Sequence, residues 1–135
     1  MNQPARAKVT VDAYYQAGVR GDLETAYKYL HPDFIVTAPN YVPWGGTHHG
    51  VSAFRAQVLP HLLKSLDYGR FSCDSLTGEN SHVVALIRIG VTGTDSVIRI
   101  SEHWEVEDGL ARSILVAYFE PQALLDKLGL GGPGQ

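Results

Sequence analysis

Ser96-Val97-Ile98-Arg99-Ile100-Ser101-Glu102-His103-Trp104-Glu105-Val106 is the stretch that decides the fold class. It reads as a β-strand, in which alternate side chains point to opposite faces. Ile98, Ile100, Glu102, Trp104 and Val106 make one face; Val97, Arg99, Ser101, His103 and Glu105 make the other. The second is a polar surface. The first is a core face with one acid set into it. An ionised carboxylate without partners is costly to bury, so Glu102 is expected to be paired, protonated or beside a polar cavity. Each outcome perturbs its pKa, and perturbed acids gather at functional sites. The competing reading is a structural pair with Arg112, Arg99 or His82.

Outward from this strand, turn signals divide the C-terminal half. Asp108-Gly109 predicts a hairpin into a strand over 110–119. Upstream, Gly93-Thr94-Asp95 and Gly78-Glu79-Asn80 separate strands over 82–91 and 67–77. The N-terminal half is helical. Residues 8–20 place Val11, Tyr14, Tyr15 and Gly18 at helical spacing, Gly21 stops that helix, and Asp22 caps another with Leu23, Ala26, Tyr27 and Leu30 as its stripe. His31-Pro32 is expected to end it. A short strand over 33–38 aligns Phe34, Val36 and Ala38, and a loop over 39–50 follows. A third helix carries Phe54, Val58, Leu62 and Leu66, with Pro60 kinking or dividing it. Pro121 opens a short last helix with Leu124, Leu125 and Leu128. This order predicts an α+β domain: a cone-shaped α+β barrel whose curved, mostly antiparallel sheet packs against three N-terminal helices. The pocket of such a cone lies between helices and sheet, and Glu102 looks into it.

The 135 residues fit one domain, expected over 1–128, with a flexible Gly-rich tail over 129–135. A formal charge of −3 without a basic run argues against nucleic acid. No apolar stretch reaches membrane-spanning length, and residues 1–8 lack the apolar region of a signal peptide, so a cytoplasmic protein is expected. The one cysteine, Cys73, excludes an internal disulfide and a cysteine-rich zinc site. His48-His49 with Glu102 lacks metal-ligand spacing, and phosphate-loop, dinucleotide and serine-elbow motifs are absent, so neither metal nor cofactor is expected.

Several pieces in this order resemble one superfamily. They are Tyr14-Tyr15 with Gly21-Asp22-Leu23, His31-Pro32-Asp33-Phe34, Pro43-Trp44-Gly45-Gly46-Thr47 with His49-Gly50, and Glu102-His103-Trp104-Glu105-Val106-Glu107-Asp108-Gly109. Together, over about residues 9–119, they are similar to the nuclear transport factor 2-like superfamily, in its SnoaL-like and ketosteroid-isomerase-like branch. The resemblance to ketosteroid isomerases implies a hydrogen-bond-donating tyrosine at Tyr14, eight residues before Asp22, and a protonated acid at Glu102. That enzyme is the standard example of a carboxylic acid kept neutral by an apolar site. Its general base falls on Ala38 before Pro39, and alanine takes no proton, so steroid isomerisation by that route is not expected.

The candidate catalytic residues are therefore Glu102, Tyr14 and His48. Tyr14 and Tyr15 are turned about 100° apart on a helix, and the resemblance favours Tyr14 as the inward one. His48 and His49 sit on the loop that should rim the pocket, and a histidine there is a candidate for the missing base. Tyr15, Phe34, Val36, Ala38, Trp44, His49, Phe54, Leu115 and Phe119 are the expected substrate-binding residues, with Tyr118 closing the pocket. His103 is expected on the opposite face, where this family dimerises. The implied function is cofactor-free acid–base chemistry on a small hydrophobic, oxygenated molecule by a homodimer. The alternative is a non-catalytic ligand-binding or assembly module of the same fold.

Overall fold

The computed structural model describes residues 3–130. From residue 131 on, the expected tail lies outside the described residues. Helix α1 (Gln3–Val19) ends at Gly21, whose φ of +76° reverses the chain at no steric cost. Asp22 then caps α2 (Leu23–Tyr27) by accepting the Thr25 N–H at 3.2 Å. This helix is shorter than expected. Leu30 already belongs to strand β1 (Leu30–Ala38), so His31-Pro32 lies within a strand rather than at a helix end. Pro32 cannot donate to a ladder, and the register of β1 shifts between Leu30 and Ile35.

The loop expected over 39–50 contains a further strand, β2 (Gly46–His49), antiparallel to β1. The third helix is in three pieces: α3 (Val51–Ala53), a π-helical turn (Phe54–Val58) and α4 (Leu59–Ser65). Leu59 donates to the carbonyl of Phe54, five residues back, and Pro60 sits in the first turn of α4 directly after this π turn. Leu66 is outside the helix and starts β3 (Leu66–Glu79).

β4 (His82–Val91), β5 (Val97–Glu107) and β6 (Leu110–Phe119) complete the meander, and α5 (Gln122–Lys127) follows. Asp108 and Gly109 both have positive φ, the requirement of a tight two-residue hairpin. The strand order is β2-β1-β6-β5-β4-β3, antiparallel except for the parallel β1–β6 pair. The sheet is curved and unclosed, as the α+β cone requires. Helix α1 lies across β3, β4 and β5 on its concave side. Trp44, Trp104, Phe34, Ile89 and Val11 are fully buried between the layers. No helix among the described residues is long and apolar enough to cross a membrane.

Candidate active site

β5 holds Glu102 at the middle of the concave sheet face, where it pairs in register with Ala85 of β4 and Val116 of β6. The alternation read from the sequence holds. Ile98, Ile100, Trp104 and Val106 are buried beside it. None of the basic residues weighed as partners reaches it: Arg99 lies over the Phe119 ring on the other face, His82 contacts Glu105 at 2.6 Å, and Arg112 contacts His31 at 3.0 Å. Burial among apolar groups therefore raises the Glu102 pKa to about 7, against the lowering effect of one hydrogen bond.

That hydrogen bond comes from Tyr15, whose hydroxyl donates to Glu102 Oε1 at 2.7 Å. The Tyr15 oxygen in turn accepts the Trp104 indole N–H at 2.9 Å. An indole N–H only donates, and towards an ionised carboxylate the Tyr15 hydroxyl donates, so in that state the relay runs from Trp104 to Tyr15 to Glu102. Among the described residues no buried side-chain nitrogen or oxygen lacks a hydrogen bond. Among the described residues, Glu102 Oε2 and the hydroxyls of Tyr14 and Tyr68 have no hydrogen-bond partner, so all three border open space.

That space is a cavity with an open mouth and a mostly apolar lining, the usual character of a small-molecule site. Glu102, Tyr14, Tyr15, Phe34, Val36, Ala38, Trp44 and Phe54 all line it, as the sequence predicts. Val19 at the end of α1 and Leu63 in α4 line it and are also exposed at 43% and 49%, which places the mouth between the helices. The wall is otherwise aliphatic and aromatic. Among the described residues it carries no Lys, Arg or His, and Glu102 is its one acid.

Four expectations change. Tyr15, not Tyr14, is the tyrosine bonded to Glu102, while Tyr14 packs edge-on against Trp104 and keeps its hydroxyl free. His48 is outside the cavity: its Nε2 meets the Trp44 carbonyl at 2.9 Å and its Nδ1 meets the Gln57 side chain at 3.0 Å, so it pins the loop. His49 is exposed on β2 and does not line the cavity either. Leu115 and Phe119 face away from the cavity, exposed at 53% and 52%, and Ile114 and Val116 line it instead, beside the expected Tyr118.

Tyr68 and Phe71 are cavity residues that the sequence reading misses. The alternation in β3 was a usable signal for Tyr68, two residues after buried Leu66, but the register shift between Asp67 and Ser72 breaks the pattern before Phe71. No group of His, Cys, Asp and Glu among the described residues is arranged to hold a metal ion.

Residues 11–114 match the SnoaL-like domain family. No functionally curated protein matches the chain. Among solved structures, an NTF2-like protein of unknown function from Burkholderia pseudomallei superposes with a TM-score of 0.74 at 21% identity, covering 93% of this chain and 96% of its own. TerC, co-crystallised with polyporic acid, superposes with a TM-score of 0.72 at 22% identity, covering 84% of this chain and 92% of its own. A Kribbella flavida protein put forward as a ketosteroid isomerase gives 0.72 at 15% identity, covering 89% and 82%. These likenesses show the fold.

Proposed function

The chain belongs to the SnoaL-like domain family, and we propose that it is a small cofactor-independent enzyme performing acid–base chemistry on a hydrophobic, oxygenated molecule of polyketide- or terpenoid-like character. One observation carries this reading. Glu102 has a pKa raised to about 7, has no cationic partner, and turns its free Oε2 into an aromatic cavity. A carboxyl so placed holds its proton far more readily than an ordinary carboxylate, which suits one group to act as acid or base near neutral pH.

In this mechanism Glu102 Oε2 removes a proton from the substrate or delivers one to it. Tyr15 and Trp104 hold the carboxyl in place, and the unpartnered Tyr14 hydroxyl donates to an oxygen on which negative charge develops. Isomerisation, cyclisation, dehydration and hydrolytic ring opening all fit this set of groups. The presence of polyporic acid in TerC supports a small oxygenated ligand. A panel of cyclic ketones and epoxides, assayed with the protein and with Glu102→Gln, tests the proposal. Turnover of any substrate found is expected to fall at least 100-fold in the variant, as for loss of a general acid–base. Equal turnover by both proteins contradicts it.

Ala38 favours a second reading. At the position where the resembling isomerases carry their base, this chain has no titratable group, which suits a binding module that releases its ligand unchanged. We further propose a homodimer through the convex sheet face, where Val97, Leu115 and Phe119 are exposed at 49%, 53% and 52%.

A further inference from the structure

The bulge in β3 decides which of its side chains reach the cavity. Counted from buried Leu66, ordinary strand alternation would turn Tyr68 and Arg70 inwards and Phe71 outwards. Instead Tyr68 and Phe71 line the cavity and Arg70 does not. Between the Asp67–Gly90 and Ser72–Arg88 pairs, residues 68–71 stand opposite Ile89 alone. Such an insertion interrupts the alternation and re-aims side chains, a use of bulges that is common beside active sites.

Arg70 closes this bulge on the outer face of the sheet. Its Nε donates to Asp67 Oδ2 at 2.8 Å, its guanidinium also donates to the Val91 carbonyl at 3.0 Å, and Asp67 Oδ1 accepts the Gly69 N–H at 2.9 Å. Gly90 follows the cavity residue Ile89 in β4 and so faces outwards. The guanidinium occupies the place of its missing side chain. A Cβ on Gly90 would lie 2.5 Å from the Arg70 Cζ and Nε, and the three atoms nearest to that Cβ all belong to Arg70. On the inner side, the Phe71 ring sits 5.3 Å from that of Tyr15, the donor to Glu102. We propose that Arg70 is a positioning residue of the site: seated against Gly90 and tied to Asp67 and Val91, it fixes the bulge, sets Phe71 against Tyr15 and keeps its own charge outside the cavity. This rests on the reading of Glu102 as the acid that acts. Without the seat, Phe71 leaves Tyr15, and water or the Arg70 cation reaches the acid; either one favours the ionised carboxyl.

Gly90→Ala in the full chain is the test. At Gly45 an added Cβ would clash with the Pro39 backbone, whereas at Gly90 it meets the far end of a flexible side chain. An ion pair as exposed as Asp67–Arg70 adds little to stability, so the variant is expected to fold. Carboxyl carbon NMR is expected to place the Glu102 inflection about one pH unit or more below its wild-type position. The same substitution in an Arg70→Ala background is expected to leave Glu102 where Arg70→Ala alone puts it, which general damage to β4 would not do. Nuclear Overhauser contacts between the Phe71 and Tyr15 rings are expected in the wild type and lost in Gly90→Ala. Retained ring contacts, an unmoved Glu102 inflection, or an equal shift from Gly90→Ala without Arg70 overturns the positioning role. A wild-type inflection at or below 4.5, together with loss of the ring contacts in the variant, overturns the reading of Glu102 instead and leaves the Arg70 clamp standing.

Discussion

The relay from Trp104 through Tyr15 holds the one acid of the cavity in place and moderates the effect of burial on its ionisation. Its hydroxyl hydrogen bond favours the charged carboxyl and works against burial. Tyr15→Phe is therefore expected to push the Glu102 pKa above about 7, read by carboxyl carbon NMR; an unchanged or lower value contradicts the relay. The same acid carries a stability signature. Its native pKa of about 7 exceeds the reference value of 4.5, so the native state binds the proton more tightly and stability falls as pH rises between these values. Above that window the ionised carboxyl costs about 3 kcal/mol. Glu102→Gln keeps an oxygen for Tyr15 and is expected to be more stable than wild type at pH 8, the two converging near pH 4, as urea midpoints will show. At this scale the sequence is informative about Glu102, because strand alternation leaves one place for its side chain. It is less so about Tyr14 and Tyr15. Both line the cavity, and only the three-dimensional position of Trp104 decides which hydroxyl meets the acid.

Among the elements, the segment from Pro39 to Ser65 is the least legible. β2 is four residues long, starts at a glycine with φ of +92° and has no alternating apolar pattern, so nothing local distinguishes it from loop. The π-helical turn is equally silent, since it arises from how Phe54 and Val58 reach the core around Pro60 rather than from a residue preference. Yet this segment delivers Trp44 and Phe54 to the cavity and ties itself to α2, where Arg55 lies 4.2 Å above the Tyr27 ring. Gly45→Ala is expected to destabilise the protein by more than about 3 kcal/mol, because the clash is with backbone that cannot yield. Denaturant unfolding checks this; a change below 1 kcal/mol, within the ordinary range of surface substitutions, contradicts the account of the loop.

For the molecule as a whole, the four-strand meander and the first long helix were readable from turns and periodicity, and with them the cone. The inner and outer faces of β6 were not. That strand carries apolar residues in both phases, so alternation gives no sign that Ile114, Val116 and Tyr118 point in while Leu115 and Phe119 point out. The outward set belongs to the face assigned to the homodimer. Leu115→Glu is expected to yield a monomer by light scattering while the cavity stays intact; an unchanged dimer, or a wild-type monomer, contradicts that interface. The charge pattern of the cavity also predicts a pH profile. With one acid and no base in the wall, turnover is expected to show a single inflection near 7, where Glu102 titrates, instead of a bell.

The pKa of Glu102 itself is the most direct measurement, taken by carboxyl carbon NMR titration with Glu102→Gln as the assignment control. An inflection near 7 is expected from a desolvated acid facing an apolar cavity. An inflection at or below 4.5 would mean a solvated or ion-paired carboxylate, and the acid–base role of the cavity would be contradicted.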